Sequence, residues 1–146
     1  MTEAPLETIR LSVERRIAVP PAQVFDAWLD SGAVGRWLFA TPDGTMEKVE
    51  VEPCVGGRFM IAERRGDELA EHFGEYVEID RPRRLVFTFA TSVDETPTRV
   101  TVTLEPDGDG TRLTLVHEMD AAWADYADRT RQGWTMILEG LAASLG

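Results

Sequence analysis

Residues 9–28 read Ile9-Arg10-Leu11-Ser12-Val13-Glu14-Arg15-Arg16-Ile17-Ala18-Val19-Pro20-Pro21-Ala22-Gln23-Val24-Phe25-Asp26-Ala27-Trp28, and within this stretch the apolar spacing changes from two to that of a helix. Ile9, Leu11, Val13, Ile17 and Val19 alternate with polar neighbours, the pattern of a half-buried strand. Arg15 falls in phase with the apolar face. Pro20-Pro21 stops the strand, and Pro21 suits a first helical turn, where its missing N–H would be unpaired anyway. Val24, Phe25, Ala27, Trp28 and Leu29 then form a short helix. Asp30-Ser31-Gly32 breaks it, and Ser31 is expected to cap a second short helix ending near Trp37-Leu38-Phe39.

From residue 46 onward the pattern has period two, in segments 46–52, 57–65, 70–80, 83–90, 98–105 and 110–119, separated by turn-forming residues. Short connections favour antiparallel pairing, since parallel strands need crossovers of about a dozen residues or more. A meander is the economical topology. The expected inward faces are Phe59 and Ile61; Phe73, Val77 and Ile79; Leu85, Phe87 and Phe89; Val100, Val102 and Leu104; and Leu113, Leu115 and His117. A sheet wet on one side needs a cover on the other. The last segment supplies it: Trp123, Ala127, Thr130, Trp134, Ile137 or Leu138, and Leu141 recur at helical spacing, with Asp120 the expected N-cap.

The chain has 146 residues, a length that one domain accommodates, with residues 1–6 expected to fray. Its formal net charge of -11 repels polyanions, and its short arginine clusters lack interleaved aromatics, so nucleic acid is not an expected partner. No apolar run approaches the roughly 18 residues of a membrane span. A single cysteine, Cys54, precludes an internal disulfide, and the simple reading is a reducing cytoplasm. His72 and His117 lie far apart and do not form a zinc-binding spacing, so neither a metal nor a cofactor is expected.

The stretch Arg15 to Trp28 resembles the opening of the SRPBCC, or START-like, superfamily, in the branch named after the C-terminal domain of Aha-type activators of the heat-shock ATPase chaperone. The likeness continues through Trp37, Gly56-Gly57-Arg58-Phe59, Gly74-Glu75-Tyr76-Val77-Glu78-Ile79, Pro82-Arg83-Arg84-Leu85-Val86-Phe87-Thr88, Gly110-Thr111-Arg112-Leu113-Thr114-Leu115 and Gly133-Trp134. It implies an α+β helix-grip fold of the START-like or Bet v-like kind. In that fold a curved antiparallel sheet of six or seven strands, with two short helices after the first, wraps a long C-terminal helix. Many relatives carry a Trp-Trp pair where Trp37-Leu38 stands here. Functions in the superfamily range from lipid carriage to cyclisation and chaperone activation, so activity has to be argued from the site.

A cavity between sheet and helix is the expected site, taking a small apolar or aromatic ligand through Trp37, Ile61, Phe73, Phe87, Phe89, Leu115, Trp134 and Leu138, with His117 or Arg15 fixing a polar end. Gly133 inside the helix costs about 1 kcal/mol relative to alanine, which signals either close approach to the sheet or room for a guest. Glu63, His72, Glu75 and Tyr76 form a polar patch that is inside or outside according to register. Arg65-Gly66-Asp67 reads as hairpin turn chemistry. No Gly-x-Ser-x-Gly elbow, phosphate loop or dinucleotide fingerprint is present. A binding module is therefore favoured over an enzyme, with a cyclase- or hydrolase-like enzyme and a chaperone- or regulator-binding protein as alternatives. An open sheet has edges that a homodimer would protect, while acidic repulsion opposes one.

Overall fold

The computed structural model describes residues 8–41, 43–91, 97–120 and 125–145. Seven strands, β1 (Thr8–Ile17), β2 (Thr45–Val51), β3 (Arg58–Arg65), β4 (Glu68–Asp80), β5 (Arg84–Phe89), β6 (Thr98–Asp107) and β7 (Gly110–Asp120), form one antiparallel sheet in the order β1-β7-β6-β5-β4-β3-β2. Strands β2 to β7 are a meander, and β1 returns beside β7. The link from β1 to β2 holds the helices α1 (Pro21–Leu29) and α2 (Ser31–Val34), and α3 (Ala127–Leu145) ends the chain. This is the helix-grip arrangement.

The core lies between the inner face of the sheet and the helices. Leu11, Val13 and Ile17 of β1, Phe59 and Ile61 of β3, Leu85 and Phe87 of β5, and alternate residues of β6 and β7 point inward and are buried. They meet Val24, Phe25 and Trp28 of α1 and Trp134, Leu138 and Leu141 of α3. The last three are spaced i, i+4, i+7, so one stripe of α3 does the covering.

Three expectations change, and two, the cap at Asp120 and the place of Trp123, fall outside what the structure describes: Asp120 ends β7 and α3 runs from Ala127. Asp30, not Ser31, caps α2, its carboxylate accepting from the Gly32 amide at 2.9 Å. The helix then stops at Val34, and a turn carries Trp37 and Leu38 into the core. In β4 the inward set is His72, Gly74 and Tyr76, so Phe73 and Val77 take the other face. A bulge between Tyr76 and Glu78 then shifts the phase and returns Ile79 to the inner side.

Candidate functional site

A cavity of about 580 Å³ lies between α3 and the sheet. That is within the usual size of small-molecule pockets. Its apolar walls include three rings, Phe39 from the turn after α2, Phe89 from the end of β5, and Trp134 from α3, with Met136 and Ile137 of α3 beside them. Phe39 stacks on His72 at 4.1 Å and 2°, lies 5.3 Å from Phe89, and is 5.9 Å from Trp134. Gly133 opens one side. A Cβ built there would meet nothing within 4 Å, so the glycine leaves room instead of serving close packing.

Phe39 has φ 58°, a left-handed conformation that costs a non-glycine residue about 1–2 kcal/mol. The surroundings hold it there. Arg65 donates through Nη2 to the Phe39 carbonyl at 3.0 Å and through Nε to Glu63 at 2.7 Å. Glu63, only 1% exposed, also accepts from the Thr41 amide and the Thr41 hydroxyl, each at 2.8 Å. Burial alone would raise the Glu63 pKa, but the Arg65 guanidinium and the two Thr41 bonds outweigh it and hold the carboxyl below its ordinary range. One buried carboxylate thus fixes both the ring wall and the loop that carries it.

His72 supplies the cavity's imidazole. Its Nδ1 lies 3.2 Å from the Ile61 carbonyl, which can only accept, so Nδ1 carries the proton and Nε2 presents a lone pair. Burial pushes its pKa down to about 4, so the ring is neutral at pH 7.

His117 sits behind Trp134. The Trp134 indole Nε1–H donates to His117 Nδ1 at 3.0 Å, which places the imidazole proton on Nε2. Nε2 then donates to Thr98 Oγ1 at 2.7 Å, and Thr98 donates to the Phe89 carbonyl at 3.2 Å. Every polar atom in this chain is satisfied, and the network locks the orientation of the Trp134 ring. Burial lowers the His117 pKa to about 4 as well.

The sequence family described as Activator of Hsp90 ATPase homolog 1-like protein matches residues 18–146. The chain belongs to that family. Family members and other proteins of this fold have been solved. The fold is similar to a Chromobacterium violaceum protein at 26% identity and TM-score 0.81, covering 94% of this chain and 96% of that one. It is also similar to a Staphylococcus aureus protein of unknown function at 15% identity and TM-score 0.85, covering 95% and 94%. The same holds for an AHSA1-like protein from Aeromonas hydrophila at 22% identity and TM-score 0.81, covering 93% and 91%. No curated protein matches the sequence.

In this AHSA1-like chain, the residues expected at the site divide sharply. Phe89 and Trp134 line the cavity. Ile61, Phe87, Leu115 and Leu138 are buried in the core and do not line it, and Trp37 packs edge-on against Trp28 at 4.7 Å beneath Gly140. Phe73 borders a separate hollow of about 1010 Å³ with Val51, Arg58, Glu75 and Thr88. That hollow is larger, and both spaces open to solvent, Arg58 and Glu75 being exposed on the rim of one and Arg36, Arg65 and Met136 on the rim of the other; they differ in that the smaller one has Phe39, Phe89 and Trp134 in its wall. His117 does not reach the cavity wall and acts on it only through Trp134. Arg15, although in phase with the inner face, is exposed: β1 is an edge strand, and a long side chain reaches water from it.

Sequence reasoning missed Phe39, Arg36 and Arg65 as lining residues and left the orientation of His72 open between the two faces. Among the described residues, no three His, Cys, Asp or Glu side chains converge as a metal site would need.

Proposed function

We propose that this AHSA1-like protein binds a small aromatic or hydrophobic molecule in the cavity between α3 and the sheet. The observation that carries the reading is the space left at Gly133 beside three rings, of which Trp134 is oriented by a buried hydrogen bond to His117 and Phe39 is anchored through its carbonyl by Arg65. Helix stability favours alanine at that position, and nothing in the packing requires glycine. Rigid walls reduce the ordering cost of binding. The pocket is mostly apolar with a few fixed polar groups, the composition such sites usually have.

The polar groups favour retention over turnover. His72 is a weak base with its pKa near 4, and His117 is fully engaged behind the wall. Proton transfer at neutral pH works best with a group whose pKa lies near 7. Residence in a reducing cytoplasm is part of the proposal and agrees with the exposed, unpaired Cys54. No described helix is long and apolar enough to cross a membrane.

Native mass spectrometry of protein purified from its own source tests the reading, followed by melting scans with a panel of aromatic compounds. A retained small molecule, or a rise in melting temperature that Gly133→Leu removes, is the expected result. Absence of both would refute it. Chaperone activation, the activity in the family's name, would use an outer surface and would survive the same Gly133→Leu substitution.

A further inference from the structure

The chain carries 26 acidic and 15 basic residues, yet the described lining of the cavity has two arginines, Arg36 and Arg65, and no carboxylate. This is the reverse of the protein's overall balance. Arg65 is committed to Glu63 and the Phe39 carbonyl. Arg36 is not: it is exposed at the mouth, and its guanidinium has no hydrogen bond or ion pair among the described residues. An unpaired guanidinium beside an apolar cavity favours a planar anion, since its fork of N–H groups matches a carboxylate.

The deep end has the opposite requirement. His72 is 7% exposed, its Nδ1–H is used by the Ile61 carbonyl, and only the Nε2 lone pair remains. A lone pair on a neutral ring repels an oxyanion and accepts from a hydroxyl. Phe39 stacks face to face on His72 at 4.1 Å and 2°, and with Phe89 and Trp134 it gives the space beside the imidazole aromatic walls. An occupant that satisfies both ends is therefore aromatic, with a hydrogen-bond donor at its buried end and a negative charge at its exposed end.

This rests on the cavity being a ligand site. We propose that its ligand class is the aromatic hydroxy acids, bound with the hydroxyl on His72 Nε2 and the carboxylate at the mouth beside Arg36. The low pKa of His72 agrees with this polarity, because the ring stays an acceptor throughout the neutral range.

Isothermal titration with three compounds of one shape tests the class: 6-hydroxy-2-naphthoic acid, its methyl ester, and 6-methoxy-2-naphthoic acid. The hydroxy acid should bind about tenfold more tightly than either analogue, the scale of one charge-assisted or buried hydrogen bond. Arg36→Gln should bring the acid to the ester's affinity and leave the ester unchanged. The Arg36 side chain makes no hydrogen bond or ion pair among the described residues, so the variant should remain folded. High salt should weaken the acid and not the ester. His72→Phe, which keeps a ring against Phe39, should erase the difference between hydroxy and methoxy acids. Should that variant fail to fold, the hydroxy-to-methoxy ratio on the unaltered protein carries the same test. Equal binding of all three compounds, insensitive to Arg36→Gln, overturns the ligand class while leaving the cavity a binding site. Binding of none overturns both.

Discussion

Lowering the pH from 7.5 to 5.0 should cost this protein about 4 kcal/mol of stability, most of it through two histidines. His72 and His117 each have an ordinary pKa of 6.5 and a folded value of about 4, in both cases because burial disfavours the imidazolium. The folded pKa is depressed, so the unfolded chain binds more protons between these two values. Stability is then highest above pH 6.5, falls as the pH drops toward 4, and levels off below it. At pH 5.0 an unfolded imidazole is almost fully protonated and a folded one is about one-tenth protonated. The difference is about 2 kcal/mol per histidine. Ordinary carboxylates are still largely ionised at that pH, so the window isolates the imidazoles.

Urea denaturation followed by tryptophan fluorescence at the two pH values measures the effect. His117→Phe should reduce the pH-dependent loss by about half, whatever it does to stability at pH 7.5, because the remaining histidine titrates alone. The decline in negative charge near the pI of 4.6 works in the opposite direction by relieving repulsion, and comparison with the variant cancels it. An undiminished pH-dependent loss in His117→Phe would refute the assignment of two buried neutral imidazoles.

The packing sets three further outcomes. Gly133→Ala should stabilise the fold by up to about 1 kcal/mol in urea denaturation, since the new methyl meets nothing and helix propensity improves. Glu63→Ala should cost about 3 kcal/mol, because it strands the Thr41 amide and frees Arg65, and a shift in the urea midpoint would record it. Gly44→Ala should be destabilising by circular dichroism melting, as its Cβ would collide with the Glu63 carboxylate, and Glu63→Gly in the same chain should relieve the collision.

Most of the fold was legible because burial on one side leaves a period-two trace. The six expected strands from residue 46 onward fall within about two residues of β2 to β7 at nearly every end, and their turns carry the residues such turns need. Gly66, between β3 and β4, has φ +64°, where a side chain would be strained. The inner phase of β4 was not legible. Phe73, Val77 and Ile79 keep perfect alternation, but the inward residues are His72, Gly74 and Tyr76, with the bulge after Tyr76 changing phase. Gly74 has to be small there, since a Cβ would run into the Phe59 ring and the Thr88 carbonyl, a tertiary reason that hydropathy does not record.

The site was less legible than the fold for the same kind of reason. Trp134 and Phe89 were found by helical and strand phase. Phe39 was not, because its role follows from a positive φ held by Arg65, which is 26 residues away in sequence. Arg65 was read as part of an Arg-Gly-Asp turn, which accounts for its backbone but not for its side chain. His117 carried the right type and phase for a polar anchor, yet Thr98 and Trp134 use both its nitrogens. The polar groups that do face the cavity, His72 and Arg36, belong to a strand whose phase shifts and a turn whose path only the folded chain fixes.

The central claim is that the space beside Trp134 holds an aromatic guest. Titration of 15N-labelled protein with 6-hydroxy-2-naphthoic acid, followed at the indole N–H resonances, tests it most directly. Trp134, on the cavity wall and hydrogen-bonded to His117, should shift and saturate, while Trp28, packed against Trp37 and Phe87 in the core, should not move. A Trp134 resonance that stays fixed to the solubility limit of the ligand would contradict the account.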